Sequence, residues 1–309
     1  MTGDPAGDPV LAGRVVVVTG SGRGLGRAYA RAVAAAGAAV VVNDVDADAA
    51  AVVVAEIAAA GGRAVPVVAP VGPTATADAL VAAAVEHFGR LDAMVTNAGL
   101  LRDRTIGKMS DEDFDLVLET HLRGTFTCAR AALARFREQG GGGRLVLIGS
   151  PAGQRASFGQ TNYSAAKAGI VGMTRTLAAE AARHGVTVNA LVPVALTRMV
   201  ATIPAFAEAV AAVEAGEPVP SRLREAGVGT AEDVAPLLVY LLSGAAAGVT
   251  GQALGIGGDR ITVWTHPTVA AEVSREGGWT AESIAEVFPE QLAPHLQPYT
   301  PDVPAEATR

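Results

Sequence analysis

Two side chains four residues apart, Tyr163 and Lys167 in the segment Asn162-Tyr163-Ser164-Ala165-Ala166-Lys167, can together move a proton. On a helix, positions i and i+4 share a face. A phenol is a poor base near neutral pH, because its reference pKa is about 10. An adjacent ammonium favours the phenolate and so brings proton transfer within reach. The spacing by itself is common, so a third residue matters. Ser150 stands at the end of a predicted strand, 13 residues before Tyr163, on the side where open α/β sheets bind ligands. Its hydroxyl can hydrogen-bond an oxygen on which charge develops. Ser157 falls in the following loop and ranks below it.

A second cluster suits phosphate. The run Thr19-Gly20-Ser21-Gly22-Arg23-Gly24-Leu25-Gly26 joins the first predicted strand to the first predicted helix. Glycines let the backbone turn tightly and approach a pyrophosphate. The helix start adds free N–H groups and a positive dipole end. In this strand–turn–helix context the motif predicts a dinucleotide site, with Gly20, Ser21, Arg23, Gly24, Leu25 and Gly26 as contacts. Asp44 ends the second predicted strand, 18 residues past Gly26. That is close to the spacing of a carboxylate that accepts from the adenosine ribose hydroxyls. It would repel a 2′-phosphate, which favours NAD over NADP; Arg23 pulls the other way. The alternative for Asp44 is a helix-capping turn residue.

The elements that must position these residues are legible in outline. Short Val-rich runs at Val15–Thr19, Ala39–Asn43, Ala64–Val68, Ala93–Asn97, Leu145–Ser150, Thr187–Val192 and Ala253–Ile256 read as strands buried on both faces. Helical segments fall between them at Gly24–Ala36, Ala47–Ala60, Thr76–Phe88, Asp111–Gln139, Thr161–His184 and Ala231–Ser243. The alternation predicts an α/β fold, a doubly wound parallel sheet in a three-layer α/β/α sandwich. Ser110, followed by Glu112 and Asp113, marks a helix start, and Gly140–Gly143 marks its stop.

Composition narrows the function class. Half of the 309 residues are apolar but only 4% are aromatic, so Ala, Val and Leu must build the core. The net charge of -7 argues against a nucleic-acid surface. A single cysteine, Cys128, excludes an intramolecular disulfide framework and a cysteine-cluster metal site; it reads as a small buried helix residue, and no metal is expected. No apolar run approaches the length of a membrane span, and the start of the chain lacks the pattern of a secretory signal. A cytoplasmic protein is the expectation. Residues 1–12, rich in Gly, Pro and Asp, read as a flexible N-terminus, residues 13–260 as one catalytic domain with a substrate lid at 197–229, and residues 261–309 as a C-terminal extension.

Taken together, Thr19-Gly20-x-x-x-Gly24-x-Gly26, Asn97-Ala98-Gly99, Ser150 and Tyr163-x-x-x-Lys167 resemble the short-chain dehydrogenase/reductase family in order and spacing, over about Gly13 to Gly258. The resemblance implies a Rossmann fold and an NAD(P)-dependent oxidoreductase acting on a CH–OH group. It implies that Tyr163 exchanges the proton with the substrate oxygen and that Ser150 polarises the carbonyl. Lys167 would lower the Tyr163 pKa and hold the nicotinamide ribose, and Asn97, Ala98 and Gly99 would lie beside the adenosine. His121 stands where the family often has a supporting Asn; it either fills that proton-relay role or is a satisfied core histidine. Val71 stands after the third strand, where an Asp often reads the adenine. Pro193-Val194 replaces the usual Pro-Gly, with Thr197 one residue early for the nicotinamide contact.

Within the family, Val40-Val41-Val42-Asn43-Asp44, Leu101-Arg102-Asp103-Arg104, His121-Leu122-Arg123-Gly124 and Phe158-Gly159-Gln160 are similar to the (3R)-hydroxyacyl-CoA dehydrogenase portion of peroxisomal bifunctional β-oxidation proteins. This implies an acyl-CoA thioester substrate, with a steroid-like or polycyclic acyl chain as one form, and a homotetramer or homodimer. The hydratase half is missing, and Ala307-Thr308-Arg309 is not a peroxisomal address. An NADPH-linked ketoreductase of acyl-carrier or polyketide intermediates and a non-catalytic dinucleotide-binding regulator are the alternatives. Phe206, Val210 and Val213 either line an acyl pocket or pack the lid. Arg102, Arg104, Arg198 and Arg222 either meet CoA phosphates or are solvated surface. Trp279, Ile284, Val287 and Phe288 make a short amphipathic segment expected to pack on its own or a neighbouring subunit.

Overall fold

The four consecutive valines of β1 (Val15–Val18) are all buried. In a strand, alternate side chains point to opposite faces. Val16 and Val18 enter one apolar cluster, and Val15 and Val17 enter a second on the other face. The same division holds in β2 (Ala39–Asp44), where Val40 and Val42 oppose Val41. A run that is apolar at every position is what a sheet covered on both faces demands.

The computed structural model describes residues 9–202 and 204–297. β3 (Arg63–Val68), β4 (Ala93–Thr96), β5 (Gly143–Ile148), β6 (Val186–Pro193) and β7 (Ala253–Gly257) join β1 and β2 in parallel. β8 (Arg260–Trp264) pairs antiparallel with β7. The strand order is 3-2-1-4-5-6-7-8, so the winding reverses between β1 and β4. Ligands of such sheets bind at the carboxyl ends of the strands at that switch point. α1 (Gly24–Ala35), α2 (Ala47–Ala59) and α9 (Ala231–Leu242) supply one apolar cluster; α3 (Thr74–Phe88), α5 (Gly124–Gln139) and α6 (Thr161–Ala181) supply the other.

The long helix expected over 111–139 is interrupted. α4 (Asp111–Leu118) runs into a π turn at Glu119–Arg123 before α5 begins. Its start is capped by Ser110 Oγ, which accepts from Asp113 N at 3.2 Å. A π turn inserts a residue into the helix and often marks a functional site; here it carries His121, which is buried.

The predicted domain end at 260 is also displaced. The chain divides into compact units after Trp264, because β8 belongs to the sheet. Its side chains are mostly exposed, so it lacks the buried run that revealed the other strands. Of the residues 1–12 read as flexible, the first eight lie outside the described ones. Leu11, by contrast, is 1% exposed within a core cluster, and its N–H donates to Ala36 O at 2.8 Å. The lid region carries α7 (Pro204–Glu214) and α8 (Ser221–Glu225) and has its own small core of Leu196, Val210, Val219 and Val228, against which Phe206 and Val213 pack. The second unit contains α10 (Ala281–Val287), started by a reciprocal cap between Thr280 and Ser283.

One buried charge joins the amino-terminal ends of the interior strands β1 and β4. Asp92 Oδ2 accepts from Val15 N at 2.9 Å, and the carboxylate is gripped by Arg90 at 2.7 Å. Replacing Asp92 with Ala strands a buried backbone donor. We expect Asp92→Ala to lower the unfolding free energy by about 2 kcal/mol, read from urea denaturation; a loss under about 0.5 kcal/mol would show that the brace is dispensable.

Candidate active site

The glycine turn closes over the end of β1 and is stitched to β4. Asn97 Nδ2 donates to the carbonyls of Thr19 and Gly20, each at 3.0 Å. Thr19 Oγ1 accepts from Asn97 N at 2.9 Å and Ala98 N at 3.1 Å. Ser21 Oγ donates to Val18 O at 2.7 Å. Gly26 has no room for a side chain: a Cβ there would stand 2.1 Å from Gly20 O and 2.6 Å from Asn97 Nδ2. α1 begins at Gly24, and Arg23 at its N-cap makes no side-chain capping bond. Its first-turn N–H groups therefore remain for an anion, with Leu25 partly buried against the core. These residues fit a dinucleotide pyrophosphate.

Asp44 braces this turn. Its Oδ2 accepts from Gly22 N at 2.9 Å and its Oδ1 from Asp46 N at 3.1 Å. The cap of α2 is Asp46, which accepts from Ala49 N at 3.0 Å. Asp46 also holds the Arg23 guanidinium in an ion pair, and these partners keep its carboxyl below the usual range. Asn43, which sequence reasoning did not single out, donates to Val67 O and Ala69 O and accepts from Gly20 N. It ties β2 to β3 and to the glycine turn. Val71 follows β3 and meets Gly124 at the start of α5. Pro193 ends β6. Thr197 opens the segment expected to form a lid, its carbonyl accepting from Val200 N at 2.9 Å. Among the described residues, none of these three hydrogen-bonds to the glycine turn or to Tyr163.

The second cluster gathers around Tyr163 in the first turn of α6. Lys167, one turn on, is 3% exposed. Its Nζ donates to Ile148 O at 2.7 Å and lies 5.5 Å from the centre of the Tyr163 ring. Ser150 follows β5, is buried, and hydrogen-bonds the phenol. From the π turn, the His121 ring meets Tyr163 edge-on with centroids 5.1 Å apart. His121 Nε2 lies 2.8 Å from Leu100 O and 3.1 Å from Leu100 N, donating to one or accepting from the other according to its tautomer. The ring fits only because residue 99 is glycine; a Cβ there would stand 2.1 Å from His121 Cε1.

Burial governs the electrostatics. It pulls Lys167 down to about 7. It pushes Tyr163 up, against the pull of its Ser150 hydrogen bond and with a smaller push from Asp103. The pairing of Tyr163 with Lys167 predicted a lowered phenol; desolvation, which outweighs the Ser150 hydrogen bond, raises it instead. Burial first, and Lys167 second, depress His121 to about 3, so it is a neutral imidazole.

Two further residues, which the sequence reading quoted only as parts of motifs, fix the start of α6. Asn162 is fully buried; its Nδ2 donates to Arg102 O and Asp113 O, and its Oδ1 accepts from Tyr163 N at 2.8 Å. Gln160 Nε2 donates to Asp103 Oδ2 at 2.9 Å. Polar residues just ahead of a tyrosine at a helix start were the available signal, but their partners lie some 50 to 60 positions away in the chain. Arg102 pairs weakly with Asp113 at 3.6 Å, and Arg198 and Arg222 are exposed.

The chain matches the short chain dehydrogenase family over residues 14–207. It is 42% identical to the hydroxyacyl-CoA dehydrogenase ChsB1 of Mycobacterium tuberculosis, over 73% of this chain and 71% of that protein. It is 44% identical to the peroxisomal hydratase-dehydrogenase-epimerase of Neurospora crassa over 49% of this chain, but spans only 17% of that longer protein. A crystal structure of a short chain dehydrogenase from Mycobacterium avium superposes with a TM-score of 0.81 at 38% identity, covering 96% of this chain and all of the other. Among the described residues no helix is long and apolar enough to cross a membrane.

A buried neutral histidine makes stability depend on pH. The unfolded chain takes up a proton below about 6.5, whereas folded His121 does so only near 3. The stabilisation is full above the unfolded value and is lost as pH falls through this window. We expect wild type to lose about 1.4 kcal/mol more per pH unit below 6.5 than His121→Asn. Urea unfolding of both at pH 6.5 and 5 checks it; parallel losses would show that His121 is not held neutral.

Proposed function

The chain belongs to the short chain dehydrogenase family, a family of NAD(P)-dependent oxidoreductases, and on that premise we propose that it interconverts the 3-hydroxy and 3-oxo forms of an acyl-CoA thioester using NAD. The observation that carries the reading is the buried Lys167 ammonium 5.5 Å from the Tyr163 ring, with Ser150 at the same phenol. The substrate class rests on the Leu101–Arg104, His121–Gly124 and Phe158–Gln160 segments and on the name of the mycobacterial relative, a hydroxyacyl-CoA dehydrogenase.

In the oxidation direction, Tyr163 takes the hydroxyl proton and Ser150 holds the same oxygen. A phenolate in a dry site is stabilised by a nearby ammonium far more than it would be in water. Lys167 is that ammonium, fixed by Ile148 O. His121, neutral and wedged between Gly99 and Tyr163, fixes the ring and the loop at Leu100 without adding charge. Gly20, Ser21, Gly24, Leu25 and Gly26 hold the pyrophosphate, and Asn97, Ala98 and Gly99 border the adenosine side; Val71, Pro193 and Thr197 are assigned to the outer parts of the cofactor. The bound dinucleotide supplies the hydride acceptor or donor. This reading includes a cytoplasmic enzyme assembled from two or four copies, for which the exposed Leu116 and Phe126 offer apolar contact.

The choice of NAD follows from charge. Asp44 sits where a 2′-phosphate would be repelled, and Arg23, the cation that would welcome one, is engaged by Asp46. This weighs against the NADPH-linked ketoreductase reading. Asp44→Asn keeps an acceptor for Gly22 but drops the charge. We expect it to raise the NADP/NAD ratio of kcat/KM by about tenfold, or about 1.4 kcal/mol; an unchanged ratio would remove Asp44 as the selector.

The direct test is initial-rate formation of NADH with a panel of 3-hydroxyacyl-CoA thioesters, straight-chain and polycyclic, beside simple secondary alcohols and steroids. Turnover confined to thioesters is expected. Tyr163→Phe should reduce kcat by at least about a hundredfold while NADH still binds. Turnover with non-thioester alcohols alone would sink the substrate class, and a fully active Tyr163→Phe would sink the mechanism.

A further inference from the structure

Asp103 lies in the loop after β4, and the residues around it are laced to the start of α6. Arg104 N donates to Gly159 O at 2.8 Å, and Arg104 forms a β-bridge with Gln160. Arg102 O accepts from Asn162 Nδ2 at 3.1 Å. Between them, Asp103 Oδ2 accepts from Gln160 Nε2 at 2.9 Å. Gln160 is itself fixed, its Oε1 accepting from Ser157 Oγ at 2.7 Å. Gln160 is the N-cap position of α6, three residues before Tyr163. A carboxylate is thus locked against the first turn of the helix that carries the reacting phenol.

This carboxylate is only half satisfied. Asp103 Oδ1 is shielded from solvent and has no hydrogen-bond partner among the described residues. A buried carboxylate oxygen without a donor is costly, and a tie between two loops does not require it, since an amide could accept from Gln160 equally well. The charge itself therefore needs a reason.

The groups that face Tyr163 give one. Lys167 comes from the same helix, His121 from the π turn and Ser150 from the end of β5, while Asp103 approaches from the loop through Gln160, three residues before Tyr163 on that helix, and its charge disfavours the phenolate. Arg102 and Asp113, which also meet Asn162, face each other at 3.6 Å. Ser150 carries no charge and His121 is neutral. Lys167 and Asp103 are left as opposed charges, the first favouring the phenolate and the second disfavouring it. We propose that Asp103 is a positioning residue for the reaction, its carboxylate, clamped by Gln160, holding the proton on Tyr163 against the pull of Lys167. The consequence is a phenol ready to donate, as the reduction direction requires.

The proposal rests on the reading of Tyr163 as the acid/base, and its test is chosen to stand apart from the substrate assignment. Tyrosinate absorbance of the full chain is titrated against pH, and the same titration of Tyr163→Phe is subtracted to isolate this one phenol among four tyrosines. The pair is repeated in the Asp103→Asn background, where the acceptor for Gln160 survives and the charge does not. A lower Tyr163 midpoint in Asp103→Asn is expected; an unchanged or higher midpoint overturns the proposal. Asp103→Ser removes the same charge and is read identically, which keeps the test decisive should the first variant fold poorly. With an active substrate, the acid limb of NAD reduction should move with the midpoint, raising the rate below it by at least about twofold. A merely structural role would instead lower the rate at every pH. Failure of every thioester to react would sink the substrate class and leave the spectroscopic result standing.

Discussion

A lysine side chain kept out of water is the constraint on which the site depends. Lys167 has one backbone carbonyl, Ile148 O, as its hydrogen-bond partner, and burial pulls its pKa down to about 7. Such an ammonium gains from a nearby anion, and the phenol of Tyr163 is the group positioned to become one. The dependence is mutual, because burial pushes that phenol up. Each charge is expensive alone and stabilised by the other. In the proposed reaction proton transfer and charge pairing are thus one event, and the surroundings must exclude water for the coupling to hold. His121 fits this requirement as a ring that fills space beside Tyr163 and stays neutral.

The fold supplies rigidity at the two places where that coupling needs it. Ile148 belongs to β5 in the middle of the sheet, paired in register with Leu191 of β6, so the carbonyl that holds Lys167 cannot drift. On the other side of the switch point, Asn97 and Thr19 bind the glycine turn to β4. The π turn between α4 and α5 performs a third task. An uninterrupted helix over the same residues would advance about 100° per residue without a break; the π turn shifts that register at His121, which lies against Tyr163 and Gly99.

Most of this frame could be read from the residues because it is written locally. The all-valine run of β1, the glycines between β1 and α1, and the spacing of Tyr163 and Lys167 each encode their element within a few positions, and the alternation of elements implies the doubly wound parallel sheet. What escaped is written between distant segments. The Asp103–Gln160 and Asn162–Arg102 bonds join loops 57 and 60 residues apart, and no periodicity announces them. β8 escaped because an edge strand with exposed side chains lacks the apolar signature of its neighbours. The π turn escaped for the opposite reason: its residues suit an ordinary helix, and only the packing of His121 reveals the extra residue. Leu11 was lost among Gly, Pro and Asp, although the core claims it.

The two halves of the site differ in how they are held, and the difference bears on what each can tolerate. The glycine turn has no slack: Gly26 touches Gly20 O and Asn97, so the surface offered to a dinucleotide is fixed by backbone contacts. The substrate side is built from segments with their own small supports. The segment from Thr197 onward carries a separate apolar cluster around Val210 and Val219, and Phe158 at 93% exposed and Ile106 at 73% exposed stand out from the two loops that flank Tyr163. Side chains on such loops can change without disturbing the sheet, whereas a change in the glycine turn propagates into β1 and β4. A single reaction centre can therefore serve substrates of different bulk by altering the loops alone. The stitches at Asp103, Gln160 and Asn162 mark where that freedom ends, since they connect the variable loops to the first turn of the helix on which the phenol must stay in place.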